Sequence, residues 1–291
     1  MSTCVWVWPP RPSKSVNAGD GFTLVELLVV IGIVGILAGL LLPVLATAKA
    51  KIQGATCLNN LRQLQMTMVL YAADNDDFVV WNWGYVKRSW VYAGDYGRGW
   101  KDFPGNTNVQ WLINRDYAAY ADYIQTPSIY KCPGDKTTVL INGHWQPWVR
   151  SYGASFFERK MTDFDSALSC ADEPVPPALQ HTFDEVHPGY LGVLYGILAG
   201  RDAFATFPAY RHAGGGTLSF ADGHVELHRW VDPRTRCPLD ENERFDATGS
   251  NVLTPSPGNV DLRWLSERSG VSGYAVQDQD VMRAQGVATS P

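Results

Sequence analysis

The chain lacks the short motifs that usually announce a reactive site. No two of its 5 cysteines are spaced C-x-x-C, which argues against a zinc ribbon or a thioredoxin-type centre. There is no G-x-S-x-G elbow, no Walker loop and no H-E-x-x-H, so nothing points to an enzyme. Basic residues are outnumbered, 24 Lys and Arg against 29 Asp and Glu, and no basic stripe is interleaved with aromatics. A nucleic-acid partner is therefore not expected. No internal repeat is visible, so a solenoid or propeller is not expected either. The most informative absence is local: from Leu27 to Ala48 no residue is charged.

What is present suits one folded head and an anchor. A length of 291 residues is marginal for two independent domains. Apolar residues make up 45% and charged residues 18%, which excludes global disorder. Many of the Trp and Tyr residues fall between Trp81 and Trp148 among Gly, Asn and Pro, a mixture typical of a loop-rich β domain.

Residues 1–21 are polar and contain proline, with Arg11 and Lys14 against Asp20. Gly21-Phe22-Thr23-Leu24-Val25-Glu26 follows, and then the uncharged run. Its 22 residues reach about 33 Å as a helix at ~1.5 Å per residue, enough for a hydrocarbon core of ~30 Å. A secretory h-region is shorter, roughly 7–15 residues, so the segment reads as a retained transmembrane anchor. Glu26 is out of place in it, because a charge within an apolar helix is costly away from the interface. One reading leaves Glu26 wet at headgroup level. The other begins with a cut after Gly21, which frees an α-amine on Phe22 one helical turn before the carboxylate. The two charges could then neutralise each other in a medium of low dielectric, within one chain or between neighbours. A rival cleavage site, Ala46-Thr47-Ala48, has the A-x-A form and would release a soluble protein beginning at Lys49.

The run from Gly21 to Ile31 resembles the cleavage and methylation motif of type IV prepilins and type II secretion pseudopilins. The resemblance implies a leader at 1–21, removed by a prepilin peptidase/methyltransferase that cuts after Gly21 and N-methylates Phe22. It implies that Glu26 pairs with the terminal amine of an adjacent subunit, and that Pro43 lies at a helix-kinking position. It implies a single-pass inner-membrane protein with its head on the extracytoplasmic, periplasmic side and other pilin or pseudopilin subunits as partners. One position departs from the pattern: Asp20 stands where the family often has Lys or Arg.

Beyond Pro43, Leu58, Leu61, Leu64, Met68 and Tyr71 recur at intervals of three and four and mark one apolar helix face, with Arg62, Gln63 and Gln65 largely off it. Asp74-Asn75-Asp76-Asp77 should end that helix; it lacks the Gly and distal Glu of a calcium loop. The expected fold is α+β and pilin-like, a long N-terminal transmembrane helix packed on an antiparallel β-sheet head. The expected divisions are a leader at 1–21, a transmembrane half at 22–48, an amphipathic half at 49–75, a β-rich head at 76–269 and a flexible tail at 270–291. Residues 172–208, rich in Pro and Gly, read as an inserted loop region.

Within the head, Asp222-Gly223 reads as a two-residue hairpin turn. That register puts Phe220 opposite Val225 and Leu218 opposite Leu227 on a packed face. Ser219, His224, Glu226 and His228 would share a polar face, within reach of His212. These histidines and Glu226 are candidate ligands for a divalent metal, with Asp172 as a further donor, although one strand alone makes a poor tetrahedral cage. The default expectation is no cofactor. His212, nine residues and Asp222-Gly223 also resemble the H-x9-DG motif found in the heads of many pilin-like proteins. Cys132-Pro133, Asp172-Glu173 and Asp261-Leu262-Arg263-Trp264-Leu265 look like further landmarks of that group.

Cys4 would leave with the leader, and the other four cysteines allow three pairings. Cys57 on the helix and Cys132 beside Pro133 form the candidate disulfide that would tie helix to head, leaving Cys170 with Cys237. The preferred function is a structural subunit that assembles, or helps to assemble, a pilus or pseudopilus. One alternative is a membrane-anchored binding module, for instance for polysaccharide, which glycan retention would reveal. The other is a secreted metal-dependent hydrolase, which bound metal with turnover would reveal.

Overall fold

The computed structural model describes residues 23–80, 89–92, 105, 107–155, 176–188, 203–204, 206–236, 244–245 and 254–268. The leader, Cys4, Gly21, Phe22, Cys170, Asp172, Glu173, Cys237 and the tail at 270–291 lie outside them. The fold is α+β. Residues 1–48 and 49–291 form two compact units.

Helix α1 spans Leu24–Asp74 without interruption, with Pro43 inside it. It stops where expected. Asp76 and Asp77 take left-handed backbone conformations, with φ of 53° and 65°, which aspartate tolerates better than most residues. Asn75 donates its side-chain N–H to the Tyr71 carbonyl at 2.7 Å, satisfying a C-terminal helix acceptor. The run 74–77 is thus a helix-ending turn. Between residues 49 and 74 the helix buries Cys57, Leu61, Leu64, Met68 and Ala72, a three-and-four spacing that lines one face. Gln65 corrects the expected pattern: it is buried on this face, where its Oε1 accepts from the Thr182 hydroxyl. Its oxygen is satisfied there, while its Nε2 has no hydrogen-bond partner among the described residues, so hydropathy gave no sign of this core position. Trp90, Tyr120, Tyr130, Tyr152 and Phe183 complete this core.

Short elements follow: helix α2 (Gln110–Ile113), strands β1 (Thr138–Ile141), β2 (His144–Pro147), β3 (Tyr152–Ala154), β4 (His181–Glu185), β5 (Ala203–Phe204), β6 (Gly215–Phe220), β7 (Val225–Arg229), β8 (Arg244–Phe245) and β9 (Thr254–Pro255), then helix α3 (Val260–Ser266). The main sheet is antiparallel, in the order β3-β4-β6-β7. A second sheet runs β2-β1-β8, and β5 pairs with β9. Strand β4 overturns the expectation of a loop at this point, since all five of its residues are buried inside the main sheet. Four of the five are polar, so no apolar alternation betrays the strand. Their burial is tolerable because specific partners meet them, as the Ser155 hydroxyl meets Asp184.

The β6–β7 hairpin exists, but its register differs by one residue from the expectation. Ser219 pairs with Val225, Leu218 with Glu226, Thr217 with Leu227 and Gly216 with His228. The Phe220 N–H donates to the His224 carbonyl at 3.0 Å, and the Gly223 N–H donates to the Phe220 carbonyl at 2.9 Å. The turn therefore holds three residues, Ala221, Asp222 and Gly223, with Gly223 at φ 96° as such a turn requires. The extra residue exchanges the faces of β7. Leu218 and Phe220 share a side with His224, Glu226 and His228, over an aromatic core that includes Trp230, Leu262 and Leu265. Thr217 and Ser219 share the other side with Val225 and Leu227. Helix α3 carries Asp261, whose carboxylate accepts from the Val231 N–H at 3.0 Å and the Asp232 N–H at 2.8 Å, and so anchors the exit of β7.

Candidate functional site

The first site is the start of α1. Thr23 precedes the helix and Glu26 lies in its first turn. The Thr23 N–H donates to Glu26 Oε2 at 2.9 Å, and the Glu26 N–H donates to Thr23 Oγ1 at 3.2 Å. The Thr23 hydroxyl also donates to Glu26 Oε2, at 2.8 Å. This is a reciprocal capping box, which satisfies helix N–H groups that have no partner within the helix. Glu26 thus has a local structural role besides the charge pairing that its isolation suggested. The T-x-x-E pattern before an apolar run is a readable signal for that role. From Leu24 to Leu45 the large apolar side chains are exposed: Leu27 is 56% accessible and Leu40 69%. This part of α1 is long and apolar enough to cross a membrane.

The second site is buried between α1 and the main sheet. Cys57 on α1, Cys132 in the loop after Tyr130, Glu185 at the end of β4 and His212 ahead of β6 place their donor atoms within 4.8 Å of one another. All four residues are buried. His212 Nε2 lies 3.4 Å from Cys132 Sγ and 3.2 Å from Glu185 Oε2. Glu185 Oε2 also accepts from the Thr217 hydroxyl at 3.2 Å, while Oε1 accepts from Arg211 at 3.1 Å. Arg211 lies 3.3 Å from Asp135 on its other side. The Gly134 N–H donates to Cys132 Sγ at 3.3 Å.

Electrostatics follows from these contacts. Burial alone would raise the Glu185 pKa, but the His212 hydrogen bond and the Arg211 charge outweigh it and hold the group at about 2. Burial alone would lower His212, but its contacts with Cys132 and Glu185 carry it up to about 10. The hydrogen bond with Cys57, together with burial, pushes the Cys132 thiol up. His212 and Glu185 thus form an imidazolium–carboxylate pair beside the raised Cys132 thiol. Nearby, the Tyr152 hydroxyl is buried without a hydrogen-bond partner among the described residues.

Cys57 and Cys132 come together but stand as free thiols, so the structure carries no disulfide between them. His212 lies on the Thr217 side of the sheet, not with His224, Glu226 and His228. Those three therefore do not form one centre with His212, a correction that follows from the shifted hairpin register. His224 stacks on Phe220 with ring centres 4.1 Å apart, and its Nδ1 lies 2.6 Å from the Asp222 carboxylate. His228 stacks on Trp264 at 3.8 Å. Sequence reasoning missed Glu185, whose only local signal is the β-favouring Thr182-Phe183 beside it. Another buried group, Ser155, Asp184 and His181, lacks the order of a nucleophilic relay, because the serine hydroxyl bonds the carboxylate rather than the imidazole.

Residues 19–42 match the family described as the prokaryotic N-terminal methylation motif. The match covers Gly21, Phe22 and Glu26 and extends into the apolar part of α1. The match supports a pilin- or pseudopilin-type precursor, and the matched segment runs into a helix long and apolar enough to cross a membrane. No curated protein and no solved structure matches the chain.

Proposed function

We propose that this protein is a pilin- or pseudopilin-like structural subunit of a type IV pilus or a type II secretion pseudopilus. A prepilin peptidase/methyltransferase cuts it between Gly21 and Phe22 and methylates Phe22. The mature chain remains in the inner membrane through residues 22–48, with residues 76–269 as an extracytoplasmic head. Neighbouring subunits cover the exposed apolar side chains of α1, and Glu26 pairs with a neighbour's terminal amine while Thr23 caps the same helix. The observation that carries this reading is the methylation motif at residues 19–42, which runs directly into an exposed apolar helix. Exposed apolar surface of this extent needs lipid or protein around it.

The test places single photo-crosslinking residues along residues 27–45, in chains expressed with and without the peptidase, and irradiates the membranes. Crosslinked dimers and higher ladders that need the peptidase support assembly through this helix. Monomers alone, from a cleaved and membrane-bound chain, would refute it.

A further inference from the structure

We propose that Cys57, Cys132, His212 and Glu185 form a binding site for one zinc-type divalent cation, which clamps α1 to the head. The proposal goes beyond the assembly role and does not rest on it.

Donor chemistry is the first argument. Two thiolates, an imidazole and a carboxylate suit zinc better than magnesium or calcium, which take oxygen ligands. Geometry is the second. Tetrahedral zinc at ~2.3 Å from sulfur and ~2.0 Å from nitrogen or oxygen separates its ligand atoms by roughly 3.3–3.8 Å. The separations of 3.4 Å from His212 to Cys132 and 3.2 Å from His212 to Glu185 fall within about 0.1 Å of that range. All four donor atoms lie within 4.8 Å, so a small contraction closes the set.

The surroundings are those of a supported site. Arg211 holds Glu185 through Oε1, leaving Oε2 toward His212. The Gly134 amide donates to the Cys132 sulfur, which favours its thiolate. A cleft of about 330 Å³, lined by Thr56, Asn60, Lys131, Cys132 and Asp135 among others, gives a cation a route in. The cation and Arg211 together offset two thiolates and Glu185; the remaining charge, on Asp135, accepts from the Thr137 N–H at 2.9 Å and from the Ser151 hydroxyl.

Binding balances as an exchange of protons for metal. Thiolate and neutral imidazole are the ligating forms, so any proton these ligands carry departs as the dication enters. The clamp joins segments separated by 155 residues, from Cys57 to His212. It adds a metal-dependent contact to the apolar packing of α1 on the head.

The experiment uses the full chain in detergent, reduced, stripped with a chelator and titrated with Co²⁺ alone. The expected result is one Co²⁺ per chain, with a thiolate-to-cobalt charge-transfer band and tetrahedral ligand-field bands that Zn²⁺ abolishes. Cys132→Ser and His212→Gln should each weaken Co²⁺ binding at least about a hundredfold. A chain carrying both His224→Gln and His228→Gln should bind as the parent does. The parent's own spectrum decides the matter even if a ligand variant fails to fold. No cobalt binding, a spectrum without thiolate charge transfer, or undiminished binding by Cys132→Ser would overturn the proposal. So would a Cys57–Cys132 disulfide in a non-reduced peptide map of the chain taken from membranes.

Discussion

The two stretches of α1, residues 24–48 and 49–74, share a backbone conformation and differ in what their side chains meet. In the first, nearly every position is apolar, and the large side chains are exposed. In the second, apolar residues are fewer, yet Cys57, Leu61, Leu64 and Met68 are wholly buried. The amount of hydrophobicity reports the solvent a helix is made for, and its periodicity reports what packs against it. A helix apolar on all sides suits lipid or like neighbours; a helix with one stripe suits the face of a sheet.

Substitutions can break this contrast. The largest effect is expected from Glu26→Gln. Glutamine preserves the capping box, so only the charge is lost. Association of neighbouring subunits, read by crosslinking in membranes, should weaken by about two to four decades, while cleavage and the melting temperature of the head stay unchanged. Normal crosslinking would leave Glu26 with its capping role alone. Leu64→Ala should do the reverse. It removes a fully buried side chain and should cost about 2–5 kcal/mol of head stability by denaturant unfolding, with processing unaffected.

Smaller effects sharpen the contrast. Gly223→Ala places a Cβ at φ 96° in the hairpin turn and should cost about 1 kcal/mol. A two-residue turn centred on Asp222-Gly223 would also need positive φ there, so the loss by itself does not report register. Register is better read from backbone amide nuclear Overhauser contacts, which should link Ser219 to Val225 rather than Phe220 to Val225. Leu40→Ala, in the first stretch, should change head stability by no more than about 0.5 kcal/mol. A larger loss would mean that this side chain contributes to the fold of the head.

The sequence is legible wherever one pattern decides. The charge-free run from Leu27 to Ala48, the stripe through Leu61, Leu64 and Met68, and the stop at Asp74 all appear in the fold. The hairpin was legible but its register was not, because Asp222-Gly223 fits a two-residue turn and a three-residue turn equally well. Strand β4 was hidden because Thr182, Asp184 and Glu185 are held by partners distant in sequence: Gln65 for Thr182, Ser155 for Asp184 and Arg211 for Glu185. The buried centre was legible only in pieces. The sequence pairs Cys57 with Cys132, and the hairpin pattern groups His212 with histidines that lie across the sheet. What joins them is topology, which no local spacing records.

The central claim concerns the N-terminus, and mass spectrometry of the mature chain from membranes tests it most directly. The chain should be co-produced with a prepilin peptidase, extracted and digested, and its first peptide identified. The account predicts a first residue Phe22 carrying one N-methyl group, with the rest of the apolar run retained. A chain that begins at Lys49, or one that keeps Met1 despite an active peptidase, would contradict it.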